Sequence, residues 1–245
     1  MRNELRVLLV TLALGPVLVW GPRLPDALAT METFRVSEVD VRGIRFLAED
    51  TVIARLELGG FASVWGDRDE WIERVEAHPL VRRAEVRRRL PGGLVVTVEE
   101  RQPVALAATP ILEPVDAEGH RLPIDPTLYG LDLPVIAASR MPPPEASMFP
   151  EEVRDLAEQL ERLRRFDEEF VRRISTLRLR DDGAMSLRLV SPDVDILLRP
   201  GATVARLREA ETALTDAISR TPGQIPKVVD LRFADQVVVR RDREE

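Results

Sequence analysis

The chain contains no cysteine, two histidines and one tyrosine among its 245 residues. The lack of cysteine excludes disulfides, thiol catalysis and Cys-ligated metal, although it leaves the compartment open. The two histidines, His78 and His120, lie far apart in sequence. Most metal sites and acid–base schemes are therefore without their usual ligand.

Recognisable catalytic motifs are also missing. The sequence has no Walker phosphate loop, no dinucleotide-binding glycine motif, no HExxH and no GxSxG. Two acidic pairs, Asp181-Asp182 and Asp193/Asp195, fall where turns and strand ends are expected, and aspartate satisfies turn backbones locally. We therefore expect a protein that is not an enzyme, with no cofactor, no metal and no small-molecule substrate.

Net charge and composition indicate which partners to expect and whether the chain is globular. The net charge is −7 and the isoelectric point about 5.2. An acidic chain is a poor general binder of phosphate backbones, so nucleic acid is not an expected partner. Hydrophobic residues make up 44% and charged residues 31% of the chain, as in ordinary globular proteins. The length suits one or two domains with real cores.

Long apolar runs are limited to one segment near the N-terminus. Residues 7–20 carry no charge, with Arg2 and Arg6 before them. Two readings stay open from the residues alone: a short membrane anchor, or a signal peptide cleaved after the small-x-small pattern Ala27-Leu28-Ala29. Both place the residues beyond about position 30 outside the cytoplasm.

A strand and two helices are predicted next. Polar and apolar residues alternate over Glu38–Arg42, which favours a half-buried strand that ends at Gly43. Glu49–Leu58 has a helical apolar stripe and is followed by Gly59-Gly60, which we expect to end the helix. A second helix is expected to start at Asp67, with Asp67 and Glu70 as a capping pair, and to stop before Pro79.

A hairpin follows these helices. One face carries Ala84, Val86 and Leu90, the turn is Pro91-Gly92-Gly93, and the returning face carries Leu94, Val96 and Val98. A lone hairpin is marginal in water, so the two helices must cover its apolar face. The order strand, helix, helix, hairpin predicts a small α+β module of the POTRA type.

Five arginines crowd the first strand of this hairpin: Arg82, Arg83, Arg87, Arg88 and Arg89. One interpretation is a solvated sheet face and a protected strand edge. The other is contact with anionic lipid headgroups or an acidic partner near the membrane.

From residue 105 onward the pattern changes to a mixed β-sheet with two amphipathic helices. One helix should begin at Pro150 and the other near Thr203. Asp181-Asp182-Gly183 is a hairpin turn signal. The expected strands are 174–180, 184–190, 193–199, 228–233 and 236–240.

The last two strands are the most informative. In the first, Val229, Leu231 and Phe233 should point one way, and Asp230 and Arg232 the other. The second contains the uninterrupted run Val237–Val239. Such a run is either buried on both faces or an exposed edge that accepts a partner strand.

Taken in order, these segments resemble the FtsQ/DivIB proteins of the bacterial division machinery. The resemblance rests on Val39–Gly43, the Pro79–Pro91 stretch, Glu100–Ala105, Val115–Gly119 and Val229–Phe233. It implies residues 1–24 as a short cytoplasmic stub and transmembrane helix, 34–102 as a POTRA domain, 103–241 as a β domain and 242–245 as a tail. It also implies an uncleaved single-pass anchor in the inner membrane, contact with lipid through that anchor, and a periplasmic bulk at the division septum.

The resemblance further implies a scaffold that binds the FtsB–FtsL pair and other divisome membrane proteins, with an FtsB-type strand added to the C-terminal sheet edge. Arg232 matches the family's arginine that pairs with an acidic partner side chain. The implied partner-binding residues are Arg232, Phe233, Gln236, Val237, Val238, Val239 and Arg240. Ala234-Asp235-Gln236 replaces the family's glycine-containing turn, which leaves the register of the last strand open by one residue.

The alternative function is a POTRA-type periplasmic chaperone for outer-membrane protein assembly or translocation. That role usually uses several such modules, and the sequence shows one.

Overall fold

A computed structural model describes residues 28–138, 143, 146–221 and 223–241. The chain divides into two compact units between Glu100 and Arg101. The predicted anchor at residues 7–20 lies outside the described residues. Among the helices that are described, none is long and apolar enough to cross a bilayer.

The first unit is a three-stranded sheet with two helices. A short 3₁₀ turn, Glu32–Phe34, precedes the elements, which are β1 (Glu38–Arg42), α1 (Glu49–Arg55), α2 (Arg68–Glu76), β2 (Val81–Arg89) and β3 (Gly93–Glu100). The sheet order is β1-β3-β2, with β1 parallel and β2 antiparallel to β3. This confirms the predicted order of strand, helix, helix and hairpin.

The core of this unit lies between the sheet and the helices. Trp71 and Val75 of α2 pack with Val86, Leu94 and Val96 of the hairpin. As predicted, Asp67 caps α2: its carboxylate accepts hydrogen bonds from the backbone of Asp69 and Glu70.

Two local expectations in the first unit are wrong. Helix α1 ends at Arg55, three residues before Leu58, because Glu57 takes a left-handed conformation with φ of 50° and breaks the helix ahead of the glycines. Leu90 was expected on the buried hairpin face but is 56% exposed, because it lies after the end of β2, in the turn.

The second unit is one sheet of eight strands with helices. Its strands are β4 (Pro103–Ala108), β5 (Leu112–Asp116), β6 (Val135–Ala137), β7 (Ile174–Leu179), β8 (Met185–Leu189), β9 (Val194–Leu198), β10 (Val228–Asp230) and β11 (Val238–Arg240). Its helices are α3 (Glu151–Phe166), α4 (Glu168–Arg172) and α5 (Val204–Arg220). The sheet order is β11-β10-β9-β8-β7-β6-β4-β5.

Strand pairing aligns one apolar row across this sheet. The register sets side by side Val229, Ile196, Leu187, Leu177, Ile136 and Ala107. All six are buried, and they form one core with the apolar stripes of α3 and α5. The two long helices therefore cover the same face of the sheet, and the whole is the mixed α+β architecture expected from the sequence.

The strand predicted over Val228–Phe233 is too long. Pairing of β10 with β9 ends at Asp230 opposite Leu197, and β10 stops there. Leu231 is still buried, but Phe233, expected on the core side with it, is 41% exposed. The last strand is likewise shorter than predicted, since β11 begins at Val238 and not at Gln236.

Candidate functional site

A buried carboxylate organises the face of the sheet opposite the helices. Asp230 has no exposed surface. Arg232 binds it in a bidentate manner, with Nε 2.9 Å from Oδ1 and Nη2 2.8 Å from Oδ2. Arg240 of β11 donates to Oδ2 from 3.0 Å. The hydrogen bond from Arg232 lowers the pKa of Asp230 below its ordinary value of 3.8, and the charge of Arg240 acts in the same direction.

The same arginine reaches a second carboxylate. Nη1 of Arg232 lies 2.7 Å from Oδ2 of Asp182, in the turn between β7 and β8. Asp182 is itself held by that turn, since its Oδ1 accepts the backbone N–H of Ala184. Arg232, for which the resemblance implies an acidic side chain of a partner, is bound here to two acidic groups of its own chain.

A side chain of helix α5 holds the connection between β10 and β11 in place. Arg206, in the first turn of α5, donates Nη2 to the carbonyl oxygens of Phe233 and Gln236, the latter at 2.7 Å. These two carbonyls flank Ala234-Asp235 in the connection between the strands. The sequence contains no signal for this contact, because the partners lie 27 and 30 residues apart.

The register of the last strand follows from its pairing. Val239 lies opposite Val229 and Val238 opposite Asp230. The side chains of Val237 and Val239 pack against the core, whereas Val238 and Arg240 share the other face with Asp230. The valine run is half-buried, so it is not a strand enclosed on both faces.

Backbone hydrogen bonds tell which groups of β11 point outward. The Asp195 N–H donates to the Lys227 carbonyl, and the Leu231 N–H donates to the Leu197 carbonyl. In a parallel pair every second residue turns both its N–H and its C=O to the same neighbour, so Val229 faces β9, whereas Val228 and Asp230 face β11. Arg240 and Val238 pair with Val228 and Asp230, so their backbone N–H and C=O groups point towards β10. The N–H and C=O of Val239 therefore point away from β10.

The two edges of the eight-stranded sheet differ. At β5, the Leu122 N–H donates to the Pro114 carbonyl and the Asp116 N–H to the His120 carbonyl, so the chain itself covers this edge. At the opposite edge, β11 pairs with β10, and no other described strand lies beside it. An open strand edge is a template for pairing with another chain.

An open groove adjoins the end of the sheet where β10 stops. Its lining comes from the β7–β8 turn, the end of β9 and the residues after β10: Asp182, Gly183, Ala184, Arg199, Pro200, Arg232 and Phe233. Arg199 therefore lies in one groove with Arg232 and the half-exposed ring of Phe233, which are two of the predicted partner-binding residues. Asp182, Arg199 and Arg206 were not singled out as site residues from the sequence.

Among the described residues, one cluster offers side chains that could bind a metal ion. Ligand atoms of Asp116, Glu118 and His120 lie within 4.8 Å of one another. However, Nη1 of Arg101 is 2.9 Å from Oδ2 of Asp116 and 2.7 Å from Oε2 of Glu118. A guanidinium already neutralises these carboxylates and would repel a cation, so the cluster has a structural explanation.

The five clustered arginines Arg82, Arg83, Arg87, Arg88 and Arg89 lie on edge strand β2 of the first unit. Arg82 pairs with Glu99, Arg87 with Glu85, and Arg89 with Glu38 and Asp40. Arg88 donates to the carbonyls of Val64 and Gly66. Three of the five arginines thus pair with carboxylates of their own sheet, which supports the interpretation as a protected strand edge.

Comparison with known proteins gives two family matches. Residues 34–101 match the POTRA domain, FtsQ-type, and residues 106–232 match the family Cell division protein FtsQ/DivIB, C-terminal. The second match spans just over half of the chain and ends at Arg232, so β11 lies beyond it.

Three similar proteins are each named Cell division protein FtsQ. The protein from Myxococcus fulvus is 32% identical over 55% of this chain and 48% of its own length. The protein from Rhodothermus marinus is 29% identical over 86% of this chain and 80% of its own length. The protein from Syntrophotalea carbinolica is 27% identical over 51% of this chain. The alignment thus spans about half the length of two of these relatives, 48% and 45%, and most of the third.

Proposed function

Because the chain belongs to the FtsQ/DivIB family of cell division proteins, we propose that it is a non-catalytic scaffold of the bacterial division complex at the septum. It recruits and links other divisome membrane proteins by accepting a strand from one of them at the β11 edge. The proposed partner is an FtsB–FtsL-type pair. Strand addition gives affinity through backbone hydrogen bonds, and alternate side chains give specificity.

The open edge of β11 is the observation that carries this proposal. The opposite edge of the same sheet is closed by residues 120–122, whereas β11 has no described neighbour on its outer side. Proteins usually protect strand edges, because an exposed ladder of N–H and C=O groups invites aggregation. An edge left open beside a rigid network of charged residues suits a binding role.

The side chains around this edge suit a partner strand with acidic and apolar residues. Arg232 and Arg240 are held on the outer face by Asp230, and Phe233 is half-exposed next to them. Gln236 and the valines 237–239 follow along the edge. We propose all seven residues predicted from the sequence as the partner-binding site: Arg232, Phe233, Gln236, Val237, Val238, Val239 and Arg240.

The proposed placement in the cell follows from the N-terminal segment and the family. Residues 1–24 form a cytoplasmic stub and a single-pass anchor in the inner membrane, and the domains 34–102 and 103–241 lie in the periplasm, with a tail at 242–245. Intact mass of the membrane-extracted protein tests this. Cleavage after Ala29 would remove residues 1–29 and overturn the anchor.

The partner is tested by photo-crosslinking in dividing cells. A photoreactive phenylalanine analogue replaces Phe233 or Val237, and a second set of cells carries it at Phe166, an exposed ring at the end of α3. We expect an FtsB-type protein to be captured from positions 233 and 237 and not from 166. Equal capture from all three positions, or no FtsB-type protein from any, would overturn the proposal.

A further inference from the structure

The exposed apolar side chains of the first unit lie on neighbouring segments. Among the described residues of this unit, three large apolar side chains are mainly exposed to solvent: Met31, Phe61 and Leu90. Phe61 is 79% exposed, more than any other large apolar side chain in the described part of the chain. A single exposed apolar residue needs no explanation, but several on adjoining segments can form a contact surface.

Backbone hydrogen bonds join these three segments at residues 34–37. Met31 lies on the chain that leads into this stretch, Phe61 on the loop between α1 and α2, and Leu90 in the β2–β3 turn. The bonds run from the N–H of Phe34 to the carbonyl of Met31, from Val36 to Ala62, and from Ser37 to Gly92. The three exposed side chains therefore belong to one end of the unit, which we call the apolar end.

Arg35 lies at the centre of the apolar end. Its guanidinium carbon is 4.9 Å from the centroid of the Phe61 ring. Its carbonyl oxygen would lie 2.6 Å from a Cβ at Gly92, so the turn that carries Leu90 packs closely against its backbone. Arg35 also forms an exposed ion pair with Glu32, at 3.3 Å. An exposed guanidinium beside an exposed aromatic ring suits the headgroup region of a bilayer, where the ring lies among the lipids and the charge reaches the phosphates.

The position of the apolar end along the chain favours a lipid surface as its partner. Trp20, the last residue of the uncharged run 7–20, and Met31 are eleven residues apart. A chain of this length spans about 40 Å at most. In the proposed placement the run 7–20 lies in the bilayer, so the apolar end stays within that distance of it. Such a tether raises the effective concentration of the two surfaces, and a contact that would be weak in solution becomes populated.

We propose that Met31, Phe61 and Leu90 contact the headgroup layer of the bilayer that holds the anchor, with Arg35 at the level of the lipid phosphates. This inference rests on the proposed anchor. The first unit is then held at the membrane surface by its own side chains as well as by the N-terminal segment. The start of β1 and the β2–β3 turn face the bilayer, and the opposite end of the sheet faces away from it.

Ala77 provides a reference point at that opposite end. It follows α2 and is exposed. Strand β2 begins at Val81, shortly after Ala77, and ends at Arg89, next to Leu90. Its nine residues span roughly 30 Å. A probe at Ala77 therefore reports on the end of the unit that lies away from the proposed lipid contact.

The test is site-directed spin labelling of the full chain in nanodiscs of phosphatidylethanolamine and phosphatidylglycerol. The chain has no cysteine, so a single introduced cysteine takes the only label. The labelled variants are Gly60→Cys at the apolar end, Ala77→Cys as the control and Leu14→Cys in the proposed anchor. A Cβ at Gly60 would meet open space, so this label leaves Phe61 in place. Collisions of each label with oxygen and with a water-soluble nickel chelate give its depth in the bilayer.

We expect the label at position 60 to lie on the order of 5 Å below the headgroup surface, a depth that interfacial segments reach. The label at 14 should lie deep in the bilayer and the label at 77 in water. Adding Phe61→Glu should move the label at 60 into water, whereas the apolar control Phe61→Leu should keep it immersed. Circular dichroism confirms that both variants are folded.

Two results would overturn the inference and leave the proposed anchor standing. One is a label at 60 that is as accessible to the nickel chelate as the label at 77, while the label at 14 is protected. The other is a label at 60 that stays immersed in Phe61→Glu, because apolar insertion would then not explain the contact. If the label at 60 were in water and became immobilised only when the FtsB–FtsL-type pair was added, the surface would belong to a protein partner instead. A label at 14 in water would overturn the anchor, and this inference with it.

Discussion

The guanidinium of Arg232 donates two hydrogen bonds, of 2.9 and 2.8 Å, to the carboxylate of Asp230, which lies two residues earlier in the chain. Residues i and i+2 of an extended chain share a face, which is why the pair can form although β10 ends between them. Arg240 completes the arrangement from β11. Asp230 is thus fully buried, and its hydrogen bond from Arg240 links β10 to β11 on the face of the sheet opposite the helices.

Removing this carboxylate should loosen the end of the sheet. Asp230→Asn keeps the size of the side chain. However, the neutral amide has one acceptor oxygen instead of two charged ones, so it cannot accept the hydrogen bonds of both arginines. We expect the free energy of unfolding of the second unit to fall by about 2 kcal/mol, the usual order for a buried charge-assisted network. Urea unfolding followed by far-ultraviolet circular dichroism measures the loss.

Asp195→Asn serves as the control for that variant. Asp195 lies on β9 on the same face, and among the described contacts its side chain has no ion pair. We expect this change to alter stability by less than about 0.5 kcal/mol. Similar losses for both variants would show that Asp230 has no special role.

The charge network around Asp230 should make the stability of the second unit depend on pH. The pKa of Asp230 is lowered in the folded state, chiefly by the hydrogen bond from Arg232, so the unfolded chain takes up a proton at higher pH than the folded one. Its contribution is therefore complete above the ordinary value of 3.8 and is lost as the pH falls through the folded pKa. The difference in unfolding free energy between wild type and Asp230→Asn should be constant above about pH 5 and shrink below about pH 4. A difference that grows on acidification would contradict this.

Proline substitutions should separate the two sides of β11. Val239→Pro removes an N–H that points away from β10, a position that tolerates proline, so the fold should survive while partner capture is lost. Val238→Pro removes an N–H that bonds to β10 and should cost about 1–3 kcal/mol of stability.

Val239→Ala is the matched control, because it trims the same side chain and keeps the N–H. We expect it to capture the FtsB–FtsL-type pair, as judged by co-purification. If Val239→Pro captured the pair as well as Val239→Ala does, backbone pairing at this edge would be ruled out.

A fourth expectation concerns the first unit. Gly43 ends β1 with φ of 81°, and a Cβ there would lie 2.2 Å from the backbone oxygen of Val98. Gly43→Ala should destabilise this unit by about 1–3 kcal/mol, since a non-glycine residue is strained at that φ. Gly60→Ala, where a Cβ would meet open space, should leave it unchanged.

Tryptophan fluorescence measures this effect without interference from the second unit. Trp65 and Trp71 lie in the first unit, and residues 101–245 contain no tryptophan. Urea unfolding of Gly43→Ala should therefore shift the fluorescence transition and leave the transition of the second unit, seen by circular dichroism alone, in place. Equal midpoints for the two glycine variants would contradict the steric argument.

The sequence predicts most of this fold because its elements carry strong local patterns. Buried and outward side chains of the hairpin alternate over Ala84–Val86 and Leu94–Val98. Helix α2 has a capping aspartate at Asp67, and α5 begins as expected after Thr203, whose hydroxyl caps the helix. Such patterns depend on neighbours three or four residues away at most, so no tertiary information is needed.

The errors at the C-terminal end of the second sheet come from contacts between residues that are distant in sequence. The alternation over Val228–Phe233 suggests one long strand, but β10 stops where its partner β9 stops pairing. Asp230 was correctly predicted to lie on the other face of the strand from Val229, but its hydrogen bond from Arg240, ten residues away, depends on the pairing of β10 with β11. Arg206, Asp182 and Arg199 reach the site only through the fold, and nothing in the local sequence marks them.

The most direct test of strand addition at β11 is backbone amide hydrogen exchange of the full chain, alone and with the FtsB–FtsL-type pair. We expect the Val239 N–H, which points away from β10, to exchange quickly in the free protein and to become strongly protected in the complex. The Val238 N–H, already bonded inward, should change much less. Unchanged exchange at Val239, with new protection confined to β2 or another surface, would contradict the account.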